Sequence, residues 1–199
     1  MMKNNLLVGL ISGLFLFGCN SEPAPDPALY DRFHGKYQVV SSISNEAIDV
    51  NLDGKTSVDL LQEIPTLIDS DLLILVSNDS GTRLLSDFLI VQAWPEQYFW
   101  PDGRNQAWNG EPVAYDHRMT INYAIQGSTR TFSFSPDYMT IIVNPSTNDD
   151  QSVHWKRPES VMVEGTNTIR VINKRIIYTS SGTKEVLITT NYKRYTKTT

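Results

Sequence analysis

Cysteine, basic residues and long apolar stretches are all scarce in this chain of 199 residues. One cysteine excludes an intrachain disulfide and any metal site built from several thiolates. The 17 Lys and Arg residues are outnumbered by 22 Asp and Glu residues, which gives a formal net charge of −5. A nucleic-acid binder needs a basic surface that neutralises phosphates. We therefore expect no nucleic-acid partner.

Catalytic motifs are lacking as well. The sequence contains no Gly-x-Ser-x-Gly elbow, no His-Glu-x-x-His pair, no phosphate-binding loop and no dinucleotide fingerprint. The three histidines, His34, His117 and His154, have no metal-ligand spacing, and the Asp116-His117 pair stands without a nucleophile motif. We expect no enzymatic activity, and an anchored hydrolase is the last of our hypotheses.

The composition is that of an ordinary globular protein, with 40% hydrophobic and 20% charged residues. Such a composition excludes a chain that is mostly disordered or collagen-like. The length fits one domain better than two and is sufficient for a substantial core.

The longest apolar run is Leu6 to Phe17, which follows the basic residue Lys3. As a helix it would be about 18 Å long, too short for a hydrocarbon core of roughly 30 Å. This pattern predicts a signal peptide over residues 1–18 rather than a membrane span.

The run ends in Leu16-Phe17-Gly18-Cys19, which resembles the lipobox of bacterial lipoproteins. The resemblance implies cleavage before Cys19, a diacylglycerol on its sulfur and an acylated amino group carrying a chain such as palmitate. Two or three such chains, at about 0.8 kcal/mol per buried CH₂, would anchor the protein effectively permanently. Asn20 in place of aspartate implies the outer membrane. The alternative is an ordinary secretory signal followed by a free cysteine.

Residues 19–29 are predicted to form a lipid-anchored tether. Three prolines within Asn20–Ala28 favour an extended, polyproline-like chain with a reach of roughly 30 Å. The folded domain is then expected over residues 30–199.

Apolar and polar residues alternate over most of that domain, which is typical of strands with one buried face. The predicted strands cover residues 37–40, 72–76, 88–94, 121–126, 130–134, 139–143, 161–163, 169–178 and 186–195. Turns are predicted at Gly127-Ser128, Ser135–Asp137, Asn167 and Ser180–Gly182. Short turns between strands indicate an all-β, antiparallel β-barrel of about eight to ten strands. One short helix, capped by Ser57, is expected over residues 57–64.

The two ends of this domain carry a family resemblance. His34-Gly35-Lys36-Tyr37 resembles the first-strand signature of lipocalins, with Tyr37 where tryptophan usually lies. In that family an arginine of the last strand packs across the ring, which implies a cation–π pair between Arg194 and Tyr37. The order of lipobox, strand, acidic loop, short helix and meander resembles lipocalin-like domains of bacterial lipoproteins. The resemblance implies a barrel that binds a small apolar or amphipathic ligand.

The acidic loop after the first strand has the spacing of a calcium-binding loop. Calcium takes six to eight oxygen ligands, and a glycine lets the loop turn sharply around the ion. The candidate ligands are Asp49, Asn51, Asp53, Lys55 through its carbonyl, Ser57 and Asp59, with Glu63 as the alternative late carboxylate. Leu60 stands where a bidentate glutamate is usual. The alternative is a metal-free turn before a capped helix.

Aromatic residues concentrate between Trp94 and Gly110. Trp94, Tyr98, Trp100 and Trp108 are candidates to line a barrel mouth and contact the ligand. Alternatively, these rings fill one barrel end as core. Two functions follow: a membrane-anchored, ligand-binding barrel lipoprotein, or a non-catalytic, calcium-stabilised structural or interaction lipoprotein of the cell envelope.

The lipobox gives a direct test. Cys19→Ser is expected to abolish incorporation of labelled fatty acid and to release the protein from membranes, because the thiol that forms the thioether is gone. Fractionation of labelled cells measures both effects. Continued fatty-acid labelling of the variant would contradict lipidation at Cys19.

Overall fold

A computed structural model describes residues 27–76, 88–100, 106–107, 111–147, 149 and 156–199. The predicted signal peptide, Cys19 and Trp108 lie outside the described residues, and so does the side chain of Trp100. None of the helices in the described part of the chain has the length and apolarity that a membrane crossing requires.

Strands dominate the described chain. Its elements are α1 (Pro27–Phe33), β1 (Gly35–Ile48), β2 (Ser57–Asp59), α2 (Leu60–Glu63), a 3-10 helix (Pro65–Asp69), β3 (Leu72–Leu75), β4 (Phe88–Trp100), β5 (Gln106–Ala107), β6 (Thr120–Phe134), β7 (Ile141–Val143), β8 (Ser160–Val163), β9 (Thr168–Thr179) and β10 (Gly182–Thr196). Helix α1 begins within the last three residues of the predicted tether.

Eight of these strands form a nearly closed antiparallel barrel. They follow the order β7-β6-β4-β3-β1-β10-β9-β8, while β2 pairs with β1 and β5 pairs with β4. The two ends of the sheet approach each other through a bridge between Thr140 and Met162 and through the Val163 N–H, which donates to the Met139 carbonyl at 2.9 Å. The predicted antiparallel barrel is therefore confirmed.

The turn predicted at Gly127-Ser128 is wrong. The β4–β6 pairing runs without a break from Phe88 opposite Phe132 to Trp100 opposite Thr120, and Gly127 lies within it opposite Ala93. Gly127 and Ser128 therefore continue the strand, because β4 pairs with the residues of β6 that come before and after them.

Helix α2 is shorter than predicted. Ser57 lies in β2, and Asp59 is the N-cap, since its Oδ1 accepts a hydrogen bond from the Leu61 N–H at 3.0 Å. Ser57 helps to position this N-cap residue, because its Oγ accepts a hydrogen bond from the Asp59 N–H at 3.0 Å. Both residue types are good caps, and pairing of residues 57–59 with β1 decides which of them starts the helix.

Among the described residues, two large apolar clusters fill the barrel along its length, and a third, small cluster surrounds Tyr178. The helix-end cluster lies beneath α1 and comprises Phe33, Tyr37, Val39, Leu72, Ile74, Val76, Ile90, Phe132, Ile141, Val143, Val161, Val163, Ile169, Val171 and Tyr192. The loop-end cluster lies against α2 and comprises Ile48, Val50, Leu60, Ile64, Leu67, Trp94, Ile177, Val186 and Ile188. Short helical segments therefore cover both ends of the barrel.

Close packing of β10 on the start of β1 requires a glycine. Gly35 has a φ of +140°, and a Cβ there would lie 2.2 Å from the Thr196 carbonyl oxygen. Any side chain would therefore both clash and strain the backbone. This explains in physical terms why a glycine stands two residues before Tyr37.

Arg194 lies opposite Tyr37 in the β1–β10 pairing, but the predicted cation–π pair is not formed. Its guanidinium instead donates to the carbonyls of Asp31 and His34, at 3.1 and 3.2 Å, and to Asn167 Oδ1. These carbonyls belong to the C-terminal end of α1, where a cation is favourable. Arg194 thus fastens α1 to the barrel.

His34 connects α1 to β3. Its buried Nδ1 accepts a hydrogen bond from the Val76 N–H at 3.2 Å, which requires an unprotonated nitrogen. Tyr30 stacks on the ring, with centroids 4.2 Å apart. Burial lowers the pKa of His34, and the nearby Arg194 charge lowers it further.

This contact predicts a loss of stability in mild acid. As the pH falls, His34 becomes protonated near pH 6.5 in the unfolded chain, and only at lower pH in the folded chain. Its contribution to the free energy of unfolding is therefore complete above pH 6.5 and is lost as the pH falls through the folded-state pKa. His34→Gln, which keeps an acceptor but does not titrate, is expected to flatten the fall in unfolding free energy between pH 7.5 and 5.5, by at most about 1.4 kcal/mol per pH unit. Urea unfolding measures it. Exposed His117→Gln is the control and should keep the wild-type slope; an unchanged slope in His34→Gln would refute the assignment.

Candidate functional site

The loop between β1 and β2, residues 49–56, is shaped by its own side-chain oxygens. Asp49 Oδ2 accepts a hydrogen bond from the Gly54 N–H at 3.1 Å. Asn51 Oδ1 accepts from the Asp53 N–H at 3.0 Å, and Asp53 Oδ1 accepts from the Lys55 N–H at 2.8 Å. Gly54 has a φ of +84°, a conformation that glycine adopts at little cost. The result is one tight turn lined by carboxylate and amide oxygens.

The predicted calcium ligands divide into two groups. Asp49, Asn51, Asp53 and Lys55 share this turn, whereas Ser57 and Asp59 serve α2. Asp59 Oδ1 caps the helix and its Oδ2 accepts from the Gln62 side-chain amide at 3.2 Å. Within the described ranges, no three residues of the types His, Cys, Asp and Glu form a group that could hold a metal ion. Calcium binding stays a prediction.

Glu63 lies beside the turn, although it is 14 residues away from Asp49 in sequence. Its Oε2 accepts hydrogen bonds from the Val50 N–H at 2.8 Å and from the Asn51 N–H at 3.4 Å. Asp49 and Glu63 are only 2% and 3% exposed. The structure therefore brings Glu63, the alternative late carboxylate, to the loop.

A cleft of about 380 Å³ opens next to this loop. Its lining residues come from the loop, from the start of the 3-10 helix and from the segment before and within β6: Val50, Asn51, Leu52, Glu63, Pro65, Tyr115, His117, Met119, Thr120, Ile121 and Tyr123. Burial raises the pKa of Tyr123 to about 12, so its hydroxyl is a donor, and it reaches the Val50 carbonyl at 3.4 Å. The lining combines apolar surface with polar groups.

The segment before β6 is held to the β9–β10 end of the barrel. The Val113 N–H donates to Thr183 Oγ1 at 3.1 Å, and the Asp116 N–H donates to the Tyr178 hydroxyl at 3.0 Å. The Asp116 carboxylate pairs with Arg118 at 2.7 Å, and this hydrogen bond lowers its pKa. The Asp116 carboxylate is thus held closely by Arg118, while His117 Nδ1 lies farther away, 3.9 Å from Asp116 Oδ1.

A layer of polar side chains separates the two apolar clusters inside the barrel. Gln92 donates to Asn173 Oδ1 at 2.8 Å and to the Tyr192 hydroxyl at 3.2 Å, and Asn173 donates back to Gln92 Oε1 at 3.1 Å. A second contact joins Ser42 Oγ and Thr190 Oγ1 at 2.9 Å. Buried polar groups that are hydrogen-bonded in this way avoid most of their desolvation cost.

The largely buried ion pair of Glu96 and Arg175 belongs to the same interior. Arg175 Nη1 lies 3.1 Å from Glu96 Oε1, and its guanidinium lies over the Trp94 ring, 4.1 Å from the centroid. Burial lowers the pKa of Arg175, an effect that the Glu96 charge opposes. A cavity of about 10 Å³ remains beside Arg175 and Gln92, with space for about one water molecule. Side chains therefore fill this part of the barrel.

The predicted ligand-binding aromatic residues are placed as follows. Trp94 is 4% exposed and packs in the loop-end cluster. Tyr98 is half-buried on the same strand, and its hydroxyl contacts the Gln126 side-chain amide. The placement of Trp94 agrees with the core alternative, and a ligand-binding role for the aromatic residues stays a prediction.

Sequence analysis missed the polar layer, although its signal was present. In β9, Asn173 and Arg175 lie on the face that also carries Ile169, Val171 and Ile177. Polar residues on an otherwise apolar face indicate a buried network. The strands that carry the hydrogen-bond partners of Asn173 and Arg175 could not be predicted from this pattern.

The chain has no match among the protein-family models, the curated proteins or the solved structures with which it was compared. The described geometry therefore carries the functional argument.

The interior ion pair gives a stability prediction. Glu96→Gln is expected to lower the free energy of unfolding by about 3–5 kcal/mol, because it leaves the Arg175 charge buried without its counter-ion. Denaturant unfolding measures the change. Glu46→Gln is the matched control: it breaks the partly exposed pair with Lys184, which we expect to be worth about 1 kcal/mol. Equal losses of unfolding free energy in the two variants would show that the interior ion pair contributes no more to stability than the pair of Glu46 and Lys184.

Proposed function

We propose that this chain is a lipid-anchored, non-catalytic binding module of the bacterial outer membrane, and that it holds a small amphipathic ligand in the cleft at one barrel end. One observation carries the proposal: a cleft of about 380 Å³ lies at the end of the barrel opposite to α1. Ligand sites typically measure about 300–1,000 Å³.

The position of the cleft fits an anchored protein. Cys19 precedes α1 by only eight residues, so the proposed anchor joins the barrel at the helix end. Strand β1 runs over 14 residues from α1 to the 49–56 loop, a path of roughly 45 Å at about 3.3 Å per residue. The cleft beside that loop therefore lies at the barrel end remote from the point where the tether joins the barrel.

The chemistry of the lining favours an amphipathic ligand. Leu52, Met119 and Ile121 supply apolar surface, while the Glu63 carboxylate and the His117 ring supply polar groups. A cleft of this kind binds by burying the apolar part of a ligand and orienting its polar part. Among the described residues, the interior cavity beside Gln92 and Arg175 is a poorer candidate, because its volume is only about 10 Å³.

A second candidate is a structural or interaction lipoprotein without a small ligand. The packed interior favours it, since a barrel filled by side chains has no need of a guest molecule for its stability. Under this hypothesis the same outer end contacts another component of the envelope.

Titration with an amphipathic fluorescent naphthalene sulfonate distinguishes the two candidates, using residues 19–199 produced without lipid. We expect saturable binding, and roughly tenfold weaker binding by Ile121→Ala, because the cleft loses the apolar contact of that side chain. Ile125→Ala on the same strand is the matched control, since its exposed side chain lies outside the cleft. Absence of saturable binding, or equal effects of the two variants, would favour the structural candidate.

A further inference from the structure

Two buried carboxylates lie close together at the 49–56 loop, and neither has a cationic partner. Glu63 is bonded to the amides of Val50 and Asn51, and Asp49 is the preceding residue. In the part of the chain that the structure describes, no Lys, Arg or His nitrogen lies within 4.0 Å of either carboxylate. Buried charges in proteins are paired or coordinate a metal ion.

Asp49 also has an unsatisfied oxygen. Its Oδ2 accepts from the Gly54 N–H across the turn, which directs the carboxylate at the loop. Its Oδ1 is buried and has no hydrogen-bond partner. A buried acceptor without a donor costs about 1–3 kcal/mol, and more when it is charged. The two oxygens of one carboxylate lie close together, so the unsatisfied Oδ1 lies next to the turn that Oδ2 crosses.

Further oxygen ligands stand on the same turn and are open to solvent. Asn51 and Asp53 are exposed, and each uses one side-chain oxygen to accept a single hydrogen bond within the turn. A carboxylate has about four acceptor positions and an amide oxygen has two, so acceptor capacity remains on both residues. Free acceptor positions on Asn51 and Asp53 therefore lie on the same turn as the unsatisfied oxygen of Asp49.

We propose that this turn binds one calcium ion through Asp49, Asn51 and Asp53, and that the ion draws in Glu63 as the carboxylate that completes the site, because these carboxylates do not form a metal-holding group in the described structure. Calcium accepts six to eight oxygens in irregular geometry, which suits carboxylates, an amide and a carbonyl from one short loop, whereas magnesium demands a near-ideal octahedron. Asp59 is left out of the site, because its carboxylate is held at the start of α2 by the Leu61 N–H and the Gln62 side chain rather than by the turn. The inference stands independently of any ligand in the cleft.

Calcium would also order one wall of the cleft. Asn51, Leu52 and Glu63 line the cleft and belong to the loop or bind it. An ion held between the loop and Glu63 would therefore order both the segment that leads from the loop to α2 and the adjacent wall of the cleft.

The test is calorimetric titration of calcium chloride into the chelator-treated full chain, purified in detergent, together with thermal unfolding. We expect one site with a dissociation constant on the order of 10⁻⁴ M, as in extracellular calcium modules. At a hundredfold excess over that constant, the melting temperature should rise by roughly 5–10 °C over the chelated protein. Magnesium at the same concentration should give a smaller rise. No calcium effect, or an equal effect of magnesium, overturns the proposal.

Variants assign the ligands. Asp49→Asn and Asp53→Asn are expected to weaken calcium binding at least tenfold, and Asp53, being exposed, keeps the test informative if Asp49→Asn does not fold. Asp59→Asn is the matched control: asparagine retains the helix cap, so calcium binding should equal that of the wild type. A loss in Asp59→Asn as large as that in Asp53→Asn, or wild-type binding by Asp53→Asn, overturns the assignment.

Discussion

Pairing between the first and the last strand of the barrel supports every other feature of the molecule. Strands β1 and β10 are matched from Lys36 opposite Thr196 to Ser44 opposite Ile188, although about 150 residues separate the partners in sequence. Contacts of such high sequence separation form at a large loss of chain entropy and are slow to form. Helix α1 directly precedes β1, and the acidic loop directly follows β1. The structures at both ends of the barrel therefore depend on the pairing of β1 with β10.

The polar layer across the barrel is a compromise between stability and specificity. Gln92, Asn173 and Arg175 occupy positions that apolar side chains would fill with less desolvation. Their hydrogen bonds are directional, however, and they are satisfied only when β4 and β9 face each other at one register. A shift of one residue would turn each of these side chains to the other face. We infer that the layer fixes the relative position of strands that are not neighbours in the sheet.

Much of the barrel was readable from the sequence because alternation is a local signal. Val186, Ile188 and Tyr192 occupy alternating positions of the predicted strand 186–195, and all three are buried. The second half of β1 was missed, because Ser42 and Ser44 take inward positions where a core residue is expected. Serine is buried there because Thr190, far along the chain, offers a hydrogen bond to Ser42. That partner is set by tertiary structure and leaves no local pattern.

The candidate site shows the same division. The turn at Asp49–Gly54 was predicted from spacing. The structure was needed to show that Glu63 lies beside this turn and that Asp59 caps α2. The cleft was beyond sequence analysis altogether, because its walls come from three separate segments. The spacing of residues along the chain was therefore sufficient to predict the loop, whereas the cleft beside it depends on the packing of segments that are distant in sequence.

The C-terminal residues lie against α1, with Lys197 Nζ 2.8 Å from Asp31 Oδ1 and Thr199 Oγ1 3.3 Å from His34 Nε2. Both described ends of the polypeptide therefore leave the barrel from one pole. In circular permutation, a short linker could join these ends, and new termini could be opened in a turn at the opposite pole. By the same geometry, an affinity tag appended after Thr199 would lie beside α1, whereas a tag inserted at exposed Ser181, in the β9–β10 turn, would lie at the opposite pole.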